Sequence, residues 1–195
     1  MIIKDGGSGF ELIKEDTYQA VCYGLFDLGS HENKISGKIE RKCAIMWEIP
    51  DVRIAGIKNG NAYDFPRTKS KTYTASLNEK SNLHKDLTSW RGKAFTADEM
   101  KGFELKNILG INCMLQIIHK AGTDGKVRDN IGVILPLYKG IPSKAPENKV
   151  LYFALSESDE IPNEAPDWIK KEIASCEEFK SRVGTDEHNE SETPF

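Results

Sequence analysis

The chain has 195 residues, 38% of them hydrophobic and 29% charged, with a net charge of −3. That is long enough to bury a core without disulfides or metals, and the composition is ordinary for a soluble domain. No run approaches the ~18 apolar residues of a membrane span, and MIIKDGGSGF lacks the basic and apolar regions of a signal peptide, so a cytoplasmic protein with no membrane partner is expected.

Residues 1–16 read as a flexible N-terminal segment. Their GGSG follows no strand and lacks the Lys-Ser/Thr ending of a phosphate loop. TYQAVCYGLFDLG (17–29) is rich in aromatic and β-branched residues and closes on a turn, which predicts a long strand. GKIERKCAIMWEIPD (37–51) alternates, with Ile39, Cys43, Ile45, Trp47 and Ile49 on one face and Pro50-Asp51 as its end. Residues 52–68 read as a hairpin arm or long loop turning at KNGN (58–61). TKSKTYTAS (68–76) is a third strand, whose odd positions put Lys69, Lys71 and Tyr73 on one face.

SNLHKDLTSWR (81–91) places Leu83, Leu87 and Trp90 at helical spacing, with Ser81 or Asn82 as cap. Thr96 and Glu99 form a capping box that opens a second helix. INCMLQIIHK (111–120), an Asp124-Gly125 turn and VRDNIGVILPLY (127–138) make a hairpin. NKVLYFAL (148–155) is a further strand. After a Pro- and acid-rich stretch, DWIKKEIASCEEFK is an amphipathic helix with Trp168, Ile169 and Ile173 toward one side.

Three strands, a helix and two more strands is the order of an oligonucleotide-binding (OB) barrel. The expected fold is mainly β: a five-stranded OB-type barrel over 17–155 with an inserted helix. A linker and C-terminal helix (156–183) and a disordered acidic tail (184–195) follow it.

Enzyme chemistry finds no support. Cys22, Cys43, Cys113 and Cys176 stand singly and read as buried, reduced thiols; the four His show no ligand spacing, so neither metal nor cofactor is expected. No nucleophile-elbow motif is present, and Asp27, Asp51 and Asp64 read as turn residues.

Charge points elsewhere. Residues 155–195 hold twelve acidic and four basic side chains, whereas 67–93 hold seven basic and two acidic ones. A basic body with an acidic tail suits a polyanion partner. Single strands are bound by cations that track phosphates and rings on which bases stack. The candidates are Lys69, Lys71, Lys80, Lys85, Arg91 and Lys93 for phosphates, with Tyr63, Phe65 and Tyr73 for bases. Trp47 and Trp90 read as core. In the tail, Glu190, Glu192, Pro194 and Phe195 offer a partner protein an acidic approach and a ring to bury.

ESETPF resembles the acidic tip, ending Pro-Phe, of bacterial single-stranded DNA-binding proteins. TYTASLNEKSNLHKDLTSWRGKAFTADEMKGFEL, with DWIKKEIASCEEF, is similar to small phage replication proteins of OB type. The resemblance implies a non-enzymatic, non-sequence-specific single-stranded DNA-binding protein serving phage replication or recombination, its tip recruiting partner enzymes. Ser191 and Thr193 interrupt the usual acidic run, and the Gly- and Gln-rich linker of the bacterial proteins is missing. The rival reading is an interaction or inhibitor module that binds a host protein with a DNA-mimicking tail. A homo-oligomer is compatible with either.

Overall fold

Along QAVCYGLF (19–26) apolar side chains occupy both alternating sets, so a strand there needs cover on each face. In the computed structural model, which describes residues 11–34 and 36–186, this run is the middle of β1 (Asp16–Glu32) and every residue of it is buried. One end of β1 pairs antiparallel with β4 (Asn112–Ala121), from Asp16↔Ile117 to Val21↔Asn112. The rest pairs antiparallel with β2 (Ile39–Lys58), from Val21↔Glu48 to Glu32↔Ile39. The register shifts between Cys22 and Gly24 and again between Asp27 and Gly29; such irregularities bend a strand. Beyond the bend, β6 (Leu151–Phe153) joins β1 in parallel along Gly24–Phe26.

The protein is therefore mainly β, a six-stranded sheet ordered β3-β2-β1-β4-β5 with β6 beside β1. Its edges are β3 (Asn61–Thr74) and β5 (Val127–Pro136), and no backbone ladder joins them. Between β3 and β4 lie α1 (Asn82–Arg91), α2 (Ala97–Lys101) and a 3-10 turn at Leu105–Ile108. The predicted caps form: Ser81 accepts from the His84 N–H, and Thr96 and Glu99 make the reciprocal box. Helices α3 (Asp167–Ala174) and α4 (Glu177–Asp186) follow β6. Among the described residues no helix is long and apolar enough to cross a membrane.

Two apolar clusters flank the β1–β2 pair. Cys22, Leu25, Ile45, Trp47 and Ile49 meet Leu87 and Trp90 of α1 and Leu115, Ile117 and Ile134 of the β4–β5 hairpin. Trp47 and Trp90 are both core, their rings 5.7 Å apart. On the other face Phe26, Leu28 and Met46 pack under Phe153, Ile169, Ile173 and Cys176.

Several sequence expectations change. β2 does not end at Pro50-Asp51: a wide irregularity between Ile49 and Arg53 absorbs the proline, and the strand runs on to Lys58. Residues 52–66 are thus a two-stranded arm, closed by a two-residue turn in which Asn59 (φ 53°) and Gly60 (φ 80°) are both left-handed, the type I′ solution. The C-terminal helix is broken at Ser175-Cys176, and Trp168 turns partly to solvent while Ile169 and Ile173 are fully buried. Ile13, expected in a flexible segment, is buried in the first cluster. Helix α4 includes residues 184–186, and the remainder of the acidic tail lies outside the described residues.

The 14-residue connection after β5 (137–150) has no regular structure, yet buried polar groups pin it. Glu48, fully buried on β2, accepts from the Glu147 N–H (2.7 Å), the Asn148 N–H (2.9 Å) and the Asn148 amide (2.6 Å). Asn112 exchanges bonds with the Lys144 backbone while Gln19 donates to Asn112 and to the Pro142 carbonyl. Removing one member of such a set strands buried donors. Glu48→Ala is expected to cost about 3 kcal/mol, read as a lower urea midpoint with an unchanged slope.

Candidate nucleic-acid interface

The sequence RTKSKTYT (67–74) splits into two faces along β3. Thr68, Ser70, Thr72 and Thr74 point to solvent, while Arg67, Lys69, Lys71 and Tyr73 turn toward β5 and α1. The face predicted to carry cations and a stacking ring is therefore the covered one. Arg67 and Lys69 converge on Asp129 of β5, at 3.6 and 2.9 Å, and Asp129 also accepts from the Ile13 N–H at 3.0 Å. Burial by itself would raise the Asp129 carboxyl, but the Ile13 N–H and the Lys69 and Arg67 charges outweigh it and hold it below the ordinary aspartate range. These bonds bridge the two sheet edges that no ladder joins.

Lys71 meets Asp86 of α1 at 2.6 Å, and the Tyr73 hydroxyl donates to the same oxygen at 2.8 Å. Tyr73 is only 3% exposed. Its expected role as a stacking ring is corrected: it is a core side chain, because its face of β3 closes over the first apolar cluster. Arg91 is likewise engaged, paired with Glu99 and lying over the rings of Phe95 (4.2 Å) and Phe103 (5.2 Å). Of the predicted cations, Lys80, Lys85 and Lys93 are exposed and carry no ion pair among the described residues.

Tyr63 and Phe65 fare differently. They sit two residues apart on one face of the arm, centroids 6.0 Å apart and planes 14° from parallel, with Phe65 60% exposed. On the arm's other face Arg53 donates to Asp64 (2.8 Å) and reaches Glu147 (2.5 Å), tying the arm to the pinned connection. By strand alternation the two rings share the face of Arg67, Lys69 and Lys71. The rings and the seam cations thus belong to the same alternating set of β3, the rings toward the arm's tip and the cations further in. The tip residues Glu190, Glu192, Pro194 and Phe195 lie outside the described residues.

A cleft of about 560 Å³ lies near the other end of β3, lined by Glu40, Lys42, Thr72, Thr74, Lys80 and Asn82 among others. Tyr73, the one ring among its described lining residues, is buried, so the cleft offers hydroxyls and two lysines but no stacking surface. Sequence reasoning passed over Lys42 and this Thr/Ser series; the alternation in RTKSKTYT was the signal, read with the wrong face outward. Burial pushes the thiols of Cys22 and Cys43 up to about 12, which removes them as nucleophiles at neutral pH. Among the described residues no three His, Cys, Asp or Glu side chains gather as a metal site would need.

No family model, no curated protein and no solved structure matches the chain.

The lowered Asp129 value fixes a pH dependence. A carboxyl whose folded value lies below its unfolded one, about 3.9, contributes stability above that pH and loses it as pH falls through the folded value. In urea melts from pH 6 to 2, the stability difference between wild type and Asp129→Asn is expected to be constant above about pH 5 and to shrink below about pH 4.

Proposed function

We propose that the chain is a non-enzymatic, non-sequence-specific single-stranded DNA-binding protein built on an OB-type barrel, acting in phage DNA replication or recombination. The observation that carries this reading is the near-parallel Tyr63–Phe65 pair, Phe65 exposed, on a tethered arm of the strand that also carries Arg67, Lys69 and Lys71. Bases of any sequence present a π-face, so two such rings bind single strands without reading them. Duplex DNA, with its bases already stacked, offers them nothing.

The barrel reading draws on the strand order, on the helix between β3 and β4, and on the Asp129 bridge between the edge strands. In this reading the DNA backbone follows the β3–β5 seam toward α1, meeting the unpaired Lys80, Lys85 and Lys93. Phosphates compete there with Asp129 and Asp86 for the seam cations, since a carboxylate and a phosphate ask the same of a lysine. The acidic segment with Pro194 and Phe195 serves as a docking peptide for replication or recombination proteins.

Fluorescence anisotropy with labelled oligo-dT tests the reading. Tight binding that weakens steeply with salt is expected, because bound phosphates release counterions. Lys85→Ala and Lys93→Ala should each reduce the salt slope by about 1. Phe65→Ala should weaken binding by about 1–3 kcal/mol and leave the slope alone. Removal of 187–195 should leave affinity equal or higher. No binding at low salt would overturn the proposal and favour the protein-interaction reading.

A further inference from the structure

Gly56 lies directly across the arm from Tyr63, the two being register partners in the β2–β3 ladder. Glycine in a strand interior weakens it unless something needs the space. Backbone conformation does not explain this one, since Gly56 is not among the positive-φ glycines. The space does. A Cβ placed on Gly56 would stand 2.6 Å from the Tyr63 hydroxyl oxygen, 2.8 Å from Cζ and 3.1 Å from Cε1. The hydroxyl end of the Tyr63 ring thus occupies the space over the bare Gly56 backbone, where any other residue would put a side chain.

That placement has a consequence for Phe65. Tyr63 and its neighbour two residues on have planes only 14° apart, so the position of one ring bears on the pair. Pushed off the backbone, Tyr63 has to rotate and the pair is lost. We propose that Gly56 is the positioning residue of a two-ring platform for an unpaired nucleobase, leaving room for Tyr63 so that Tyr63 and Phe65 act together. This rests on the single-strand reading given above. The arm is otherwise built to hold its shape, through the Asn59-Gly60 turn and the Arg53 ties to Asp64 and Glu147.

The contact also makes the idea testable without unfolding the protein. The atoms in the way are the far end of one side chain, so Gly56→Ala moves a ring and leaves the strand backbone in place. Full-length wild type, Gly56→Ala, Tyr63→Ala and the double variant are titrated against labelled oligo-dT and an abasic oligonucleotide of equal length. Gly56→Ala is expected to bind oligo-dT about fivefold or more weakly, with an unchanged salt slope and unchanged abasic affinity. The double variant should be no weaker than Tyr63→Ala, because Gly56 acts only through that ring.

If Tyr63→Ala weakens oligo-dT binding while Gly56→Ala matches wild type, Gly56 has no positioning role and the single-strand reading stands. Equal losses on the abasic oligonucleotide would mean general damage to the arm and would equally sink the proposal. If Tyr63→Ala and Phe65→Ala both bind like wild type, the platform itself falls.

Discussion

Everything in this fold follows from β1 being apolar on both faces. It pairs with β4 along Asp16–Val21, with β2 along Val21–Glu32 and with β6 along Gly24–Phe26. A strand of that kind cannot be satisfied by a single layer, since each exposed apolar face would cost about 25 cal/mol per Å². The chain supplies α1 and the β4–β5 hairpin to one face and β6, α3 and α4 to the other. The C-terminal helices therefore belong to the packing of the β-sheet, with Ile169 and Ile173 as buried as any strand residue.

Polar chemistry does the joining that hydrogen-bonded ladders leave undone. Asp129 bridges the two sheet edges by accepting from Lys69, Arg67 and the Ile13 N–H. Glu48, Gln19 and Asn112 hold an irregular connection against the sheet from inside. Exposed pairs such as Lys101–Asp98 add little, because water screens them and the side chains lose entropy. The covered ones matter because breaking them strands a charge or a donor out of water.

The same covered pairs shape what the surface can offer a polyanion. Seam cations already hold carboxylates, so a phosphate backbone meets them only by exchange, whereas Lys80, Lys85 and Lys93 are available at once. In the proposed reading the arm would contribute the other half of single-strand recognition. The arm begins beyond Glu48, where β2 no longer pairs with β1, and it carries Phe65 exposed and Tyr63 partly exposed. In that reading charge would govern how a single strand arrives and the rings what state of it is retained.

Local pattern determined much of this from the sequence alone: most of the strands, the Ser81 and Thr96 caps, the turn within KNGN (58–61) and the core tryptophans. Each depends on neighbours within a few residues, which is all that periodicity and turn chemistry encode. Which face of β3 points inward was left to tertiary structure. Alternation defines two faces but not their direction, and Lys69, Lys71 and Tyr73 read as a solvent face until Asp129 and Asp86, 60 and 15 residues from their lysine partners, are seen to meet them. The run of β2 through Pro50, the break at Ser175-Cys176 and the fit of Tyr63 over Gly56 were also decided there. Each turns on a contact between segments, and such contacts exist only once the chain has folded back on itself.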